Sequence, residues 1–116
     1  MTSSCGKAIA VCNLPTLYFM QTMTAAILQQ KLEKTDELVL IDVREPWEHA
    51  AFNIGGILIP LNTIFENLHQ IPKHIPVIIY CEKGIRSSLV IQRLEAKFNY
   101  SNLVNLEGGM NGWKKL

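Results

Sequence analysis

The sequence predicts an α/β fold: a mainly parallel sheet of about five strands with helices on both faces. Three observations carry this. Short runs of leucine and β-branched residues alternate with longer segments of helical spacing, the pattern of strand–crossover–strand units. Two of the runs, ELVLIDV (37–43) and PVIIY (76–80), are almost uninterruptedly apolar, as strands buried on both faces require. The chain has 116 residues, enough for one domain with one core and hardly for a second.

Taken in order, YFMQ (18–21) is short and apolar, an edge strand. TAAILQQKLEK (24–34) opens on a threonine that can cap a helix and keeps Ala26, Ile27 and Leu32 near one face. ELVLIDV follows as a buried strand. PWEHAAF (46–52) starts with proline at a first helical position and predicts a short helix. GILIP (56–60) is a strand stopped by its proline. NTIFENLHQI (62–71) places Ile64, Phe65, Leu68 and Ile71 at helical spacing behind an asparagine cap. PVIIY is a central strand, SSLVIQRLEAKF (87–98) a helix, and NLVNL (102–106) a last strand. The terminal GGMNGWKKL predicts a glycine turn with one helical turn, and no repeat or low-complexity linker interrupts the series.

Composition excludes several classes. Apolar residues make up 48% and charged residues 18%, which fits a folded domain and not a disordered one. The net charge of +1, without a basic run, argues against nucleic acid or an anionic membrane as a partner. No apolar stretch approaches the roughly 20 residues of a membrane-spanning helix. The mildly apolar N-terminus is broken by Asn13 and Pro15 and lacks a small-x-small cleavage pattern, unlike a signal peptide. Three cysteines, at 5, 12 and 81, do not form a disulfide framework, so a cytoplasmic location is expected.

The chemistry concentrates in CEKGIRSS (81–88). In a parallel sheet, ligands sit outside the carboxyl ends of the strands, and Cys81 stands at that end of PVIIY. A loop entering a helix turns backbone N–H groups toward one point, and the helix terminus adds partial positive charge. Both favour a thiolate. Gly84 lets the loop curl, Arg86 offers a planar fork of donors to an oxyanion, Lys83 adds long-range attraction, and Ser87 can cap the helix. A lone cysteine at a strand end is more often packing than chemistry. The polar glycine-containing loop and its arginine argue for chemistry here.

Three blocks, IDVREPWEHAAFNIGG (41–56), YCEKGIRSS (80–88) and NLEGGMNGW (105–113), together resemble a single-domain rhodanese, a sulfurtransferase. The resemblance runs from about Leu17 to Leu116. Residues 1–16 fall outside it, as an extension expected to be mobile. A start at Met23 would delete the YFMQ strand, so a start at or before Leu17 is expected. The resemblance implies a five-stranded parallel sheet and a six-residue active loop, here Cys81, Glu82, Lys83, Gly84, Ile85 and Arg86. It implies that Cys81 takes a sulfane sulfur from a donor such as thiosulfate, holds it as a persulfide, and passes it to cyanide, a thiol or a partner protein. Asp42 and Arg44 are implied to hold the loop through hydrogen bonds and charge. No metal or organic cofactor is implied.

Departures from the family pattern matter. Glu82 stands where arginine is frequent, and its charge beside a thiolate disfavours dianionic thiosulfate. Asn53-Ile54-Gly55-Gly56 replaces a common His-Ile-Pro-Gly. That variant is similar to rhodanese domains attached to molybdopterin- or thiamine-pathway activating enzymes, which keeps a protein sulfur carrier open as acceptor. Two rivals remain. A cysteine phosphatase would use five residues between cysteine and arginine, whereas Cys81 and Arg86 have four between them. A non-catalytic or sulfur-carrier binding module would ordinarily have lost the cysteine. His49, His69 and His74 lie at no metal-ligand spacing and read as surface residues, and Cys5 and Cys12 as bystanders. Trp47 is expected to anchor a helix face. Trp113, with Gly108 and Gly109, is expected to pack the C-terminal turn on the sheet.

Overall fold

A computed structural model describes residues 19–116. The expectation for residues 1–16 lies outside the described residues. Among the described residues, five strands form one sheet: β1 (Thr22–Met23), β2 (Val39–Asp42), β3 (Ile57–Leu58), β4 (Val77–Tyr80) and β5 (Leu103–Leu106). Their order is β1-β5-β4-β2-β3 and every pairing is parallel. The helices are α1 (Ala25–Glu33), α2 (Pro46–Ala51), α3 (Ile85–Phe98) and α4 (Gly109–Trp113). The fold is the α/β architecture expected, with β4 at the centre between β5 and β2.

Alternation along the strands divides the core in two. Val77, Ile79, Ile41 and Leu103 point to one face and meet Val90, Ile91 and Leu94 of α3. Ile78, Tyr80, Leu40, Val104 and Leu106 point to the other and meet Ala25 and Leu28 of α1 and Met110 of α4. Cys81 continues the parity of Val77 and Ile79, so its side chain falls on the α3 face.

Several expectations shift. The first strand among the described residues is Thr22–Met23, its register set by pairing with Asn105 and Leu106; of the expected 18–21, residues 19–21 are not strand and residue 18 lies outside the described residues. Thr24 does cap α1, its hydroxyl accepting the Ile27 N–H at 3.3 Å. The buried face of α1, however, is Ala25 and Leu28 with Leu32 beside them, while Ala26 and Ile27 face solvent. The segment 62–71 is not one helix but two 3-10 turns, Leu61–Glu66 and Leu68–Gln70. Asn62 caps neither. Asn67 divides them, because its side chain donates to the Thr63 carbonyl and accepts from Gln70, competing with helical bonds. Leu61 and Ile64, then Leu68 and Ile71, reach the core at the three-residue spacing of a 3-10 turn. Helix α3 starts at Ile85, two residues before Ser87, with Gly84 as its N-cap in the left-handed region at φ 95°.

Candidate active site

Strand β4 ends on Tyr80, and the next residues curl back above it. Cys81 is 1% exposed. Its Sγ receives the Gly84 N–H at 3.1 Å and the Ser87 N–H at 3.4 Å, and lies 3.3 Å from Ser87 Oγ. Leading N–H groups of a helix have no intrahelical acceptor. Here the sulfur takes one of them. Ser87 is therefore not the helix cap: its backbone and hydroxyl both face the thiol. The hydroxyl also bonds Asn105 Oδ1 at 2.5 Å, and Asn105 Nδ2 donates to the Gly84 carbonyl at 3.1 Å. Asn105, on β5, thus ties the nucleophile's neighbour and the loop's glycine together.

The loop carbonyls are held from the other side by α4. Met110 N–H donates to the Cys81 carbonyl at 2.9 Å and Asn111 N–H to that of Glu82 at 3.0 Å. Gly109 makes this approach possible: a Cβ there would lie 2.7 Å from the Glu82 carbonyl carbon and closer still to the Cys81 oxygen. Trp113 packs beside Met110 against the sheet, as expected. With its carbonyls turned to α4, the loop turns the Gly84 and Ser87 N–H groups toward the sulfur.

Arg44 and Asp42 stand at the end of the adjacent strand, and both are essentially fully buried. The guanidinium grips Asp42 through Nε and Nη2, reaches Glu82 Oε1 through Nη1 at 3.1 Å, and donates to the Phe52 carbonyl at 2.5 Å. One side chain thereby connects β2, the end of α2 and the active loop. Burial alone would push the Asp42 carboxyl up, but hydrogen bonds from Arg44 and His49 outweigh it and the net shift is downward. His49 is not a free surface residue: its Nδ1 lies 2.8 Å from Asp42 Oδ2. Glu82 also pairs with Lys114 at 3.6 Å, so its charge is matched twice.

Arg86 does not point freely into the pocket. Its two terminal nitrogens meet both oxygens of Glu48, at 2.8 and 3.0 Å, in a bidentate fork. That contact holds the Glu48 carboxyl down at about 2, and the same pairing raises Arg86. Lys83 and Ile85 are exposed, and His69 and His74 are exposed as expected. Trp47 does not anchor α2. It is 71% exposed, because α2 carries no buried residue.

A pocket of about 410 Å³ opens at the sulfur, lined by Glu48, Cys81, Glu82, Lys83, Ile85 and Arg86. A second, of about 340 Å³, shares Glu48 and Glu82 with it and extends to Trp47, Phe52 and Lys114. A separate cavity of about 400 Å³ lies at the amino ends of the strands, near His74 and Asn102, away from the thiol.

Besides His49, two site residues were not foreseen from sequence. Glu48 is 38 positions from Arg86, and its local role as the N3 member of a capping box with Glu45 already accounts for it. Asn105 had a readable sign. Strand parity sets it on the same face as Leu103 and Cys81, where a polar residue stands out.

The rhodanese-like domain family model matches residues 24–116. A protein named sulfurtransferase from Allochromatium vinosum is 35% identical over 89 residues, covering 76% of this chain and 82% of that protein. The protein named probable adenylyltransferase/sulfurtransferase MoeZ, from Mycobacterium tuberculosis, is 35% identical over 97 residues. This chain spans 24% of the length of that relative. Among solved structures, a rhodanese-like domain protein from Staphylococcus aureus superposes with a TM-score of 0.74 at 37% identity, covering 81% of this chain and 91% of that one.

Proposed function

The chain belongs to the rhodanese-like domain family, and on that premise we propose that it is a sulfurtransferase carrying a sulfane sulfur on Cys81. The observation that carries this is the Cys81 sulfur, seated at the carboxyl end of the central strand with two backbone N–H groups donating to it at the floor of a pocket. The Cys81 thiolate attacks the outer sulfur of a donor such as thiosulfate. The donor's S–S bond breaks, sulfite leaves with the electron pair, and a Cys81 persulfide remains. Cyanide or an acceptor thiolate then attacks the outer sulfur, and Cys81 leaves as thiolate. No net oxidation or reduction is required, and the covalent enzyme form makes the kinetics ping-pong.

The Gly84 and Ser87 amides stabilise the thiolate in either half-reaction. Arg44, backed by Asp42, holds Glu82 and so fixes the opening of the loop. Arg86, locked to Glu48, shapes the pocket wall beside Ile85 and leaves its charge partly spent, while Lys83, with no ion pair among the described residues, adds positive charge. The pocket therefore draws a dianion weakly, and thiosulfate serves as a convenient donor more than a preferred one. The same charge balance favours, as a second reading, a sulfur carrier that loads readily and turns over slowly without its partner. No comparable observation favours a phosphatase, whose loop arginine must be free for phosphate.

The test is intact-mass measurement after brief exposure to thiosulfate without reductant. We expect a gain of one sulfur atom, mapped to the Cys81 peptide, removed by cyanide and absent in Cys81→Ser. No adduct, or one confined to Cys5 and Cys12, would overturn the proposal.

A further inference from the structure

The wall of the second pocket is unusual for a surface that has to stay in water. Trp47 is 71% exposed, Phe52 44% and Ile85 64%, and they border the two adjoining pockets that meet at Glu48 and Glu82. Exposed tryptophan and phenylalanine beside a reactive group are the composition of a contact surface, since aromatic side chains are enriched where proteins meet. The second compartment adds about 340 Å³ beyond the pocket at the sulfur. Neither cyanide nor thiosulfate has any part that would reach it. It suits whatever the sulfur is attached to, on the donor or acceptor side.

The charges identify the chemistry of that occupant. Arg86 is matched by Glu48, Arg44 by Asp42 and Glu82, and Lys114 by Glu82. Of the charged residues lining the two pockets, Lys83, at the sulfur end, is the one with no ion pair among the described residues. A groove with apolar walls and balanced charge complements an uncharged apolar chain, with any negative charge confined to the reacting sulfur near Lys83. A strongly basic or acidic segment would have to break one of these pairs to bind.

We propose that the groove from Cys81 to Trp47 and Phe52 is the docking surface for an extended segment of a partner protein. That segment carries the accepting cysteine, with a bulky apolar side chain a residue or two away that seats between Trp47 and Phe52. This deepens the sulfurtransferase reading and rests on it for the transfer step. In that step the partner's thiolate attacks the outer sulfur of the Cys81 persulfide, one S–S bond forms as another breaks, and the partner leaves as the persulfide.

The test uses the full chain with Cys5→Ser and Cys12→Ser, so that Cys81 is the only thiol. Short uncharged peptides are supplied in which cysteine is followed by leucine or phenylalanine, or by glycine and serine alone. Binding to the Cys81→Ser form is read from tryptophan fluorescence, and transfer from the sulfur-loaded form by mass. The expected result is kcat/KM about tenfold higher for the apolar peptides, a difference of ~1.4 kcal/mol in transition-state stabilisation. Trp47→Ala is expected to erase that preference while leaving cyanide turnover unchanged, since the exposed indole supports no core. Equal use of all peptides, or a preference that survives Trp47→Ala, overturns the proposal. So does a small free thiol that competes equally with the apolar peptides. Failure of the protein to load sulfur at all would instead overturn the sulfurtransferase reading, and the fluorescence titration would still decide the docking surface.

Discussion

At Cys81 one hydroxyl proton is contested. Ser87 Oγ lies 2.5 Å from Asn105 Oδ1 and 3.3 Å from Cys81 Sγ, and all three residues are buried. While Cys81 is a thiol, Ser87 donates to Asn105 and accepts from the S–H. Once it is a thiolate, the same proton can turn to the sulfur. Ser87→Ala removes that donor and leaves Asn105 Oδ1 buried without one, which costs about 1–3 kcal/mol. The expected outcome is a lower denaturant midpoint by that amount, together with roughly tenfold slower alkylation of Cys81 at neutral pH, from the loss of a charge-assisted bond. Ser87→Thr, which keeps the hydroxyl, should restore most of the alkylation rate. Unchanged alkylation in Ser87→Ala would mean that the backbone amides alone support the sulfur.

At the scale of elements, the active loop is clamped between α3, which supplies N–H groups to the sulfur, and α4, which takes up the loop's carbonyls. The clamp depends on Gly109, held at φ 56° with no room for a Cβ against the loop backbone. Gly109→Ala has to move the Cys81–Glu82 peptide or α4. We expect it to destabilise by about 2 kcal/mol or more from strain and overlap together, and to lower sulfur loading further than the stability loss explains. Gly112→Ala, where a Cβ would meet only the Glu107 carbonyl at 3.1 Å, is the control and should load near normally. Equal loading in both variants would show that the clamp does not set the loop. The short α2 has a different task. It buries nothing, yet it supplies Glu48 to Arg86, His49 to Asp42 and the Phe52 carbonyl to Arg44, so it holds the site by polar bonds.

For the whole molecule, these ion pairs make stability depend on acid. The Glu48 carboxyl is held at about 2 against its ordinary 4.5, and Asp42 is also lowered. A depressed carboxyl contributes stability that is fully present above about pH 4.5 and lost as pH falls toward 2. Arg86 is one-third exposed on its side chain, so screening reduces the contribution to about 1–2 kcal/mol. Glu48→Gln should therefore be less stable than the native chain by that amount at neutral pH, with the gap closing as pH falls from about 4.5 to 2. Urea midpoints measured across that range check it, and parallel curves for the two proteins would contradict the pairing.

Much of this molecule was legible from the order of its residues. The apolar runs at 37–43 and 76–80 mark β2 and β4, because a strand covered on both faces has no polar side to show. The strand-to-loop-to-helix change at Cys81 located the candidate nucleophile, and Gly84 its bend. Strand parity also fixes the face that Asn105 occupies, a sign that the sequence reading left unused. What only the tertiary structure decided is which charges meet. Arg86 and Glu48, like Arg44 and Glu82, are 38 positions apart, and His49 reaches Asp42 only because α2 folds back over the end of β2. Local propensity contains no information about such distant pairs. Long polar side chains take their partners from whatever the packed sheet brings near, so the chain announces the thiol, and the fold determines the charge around it.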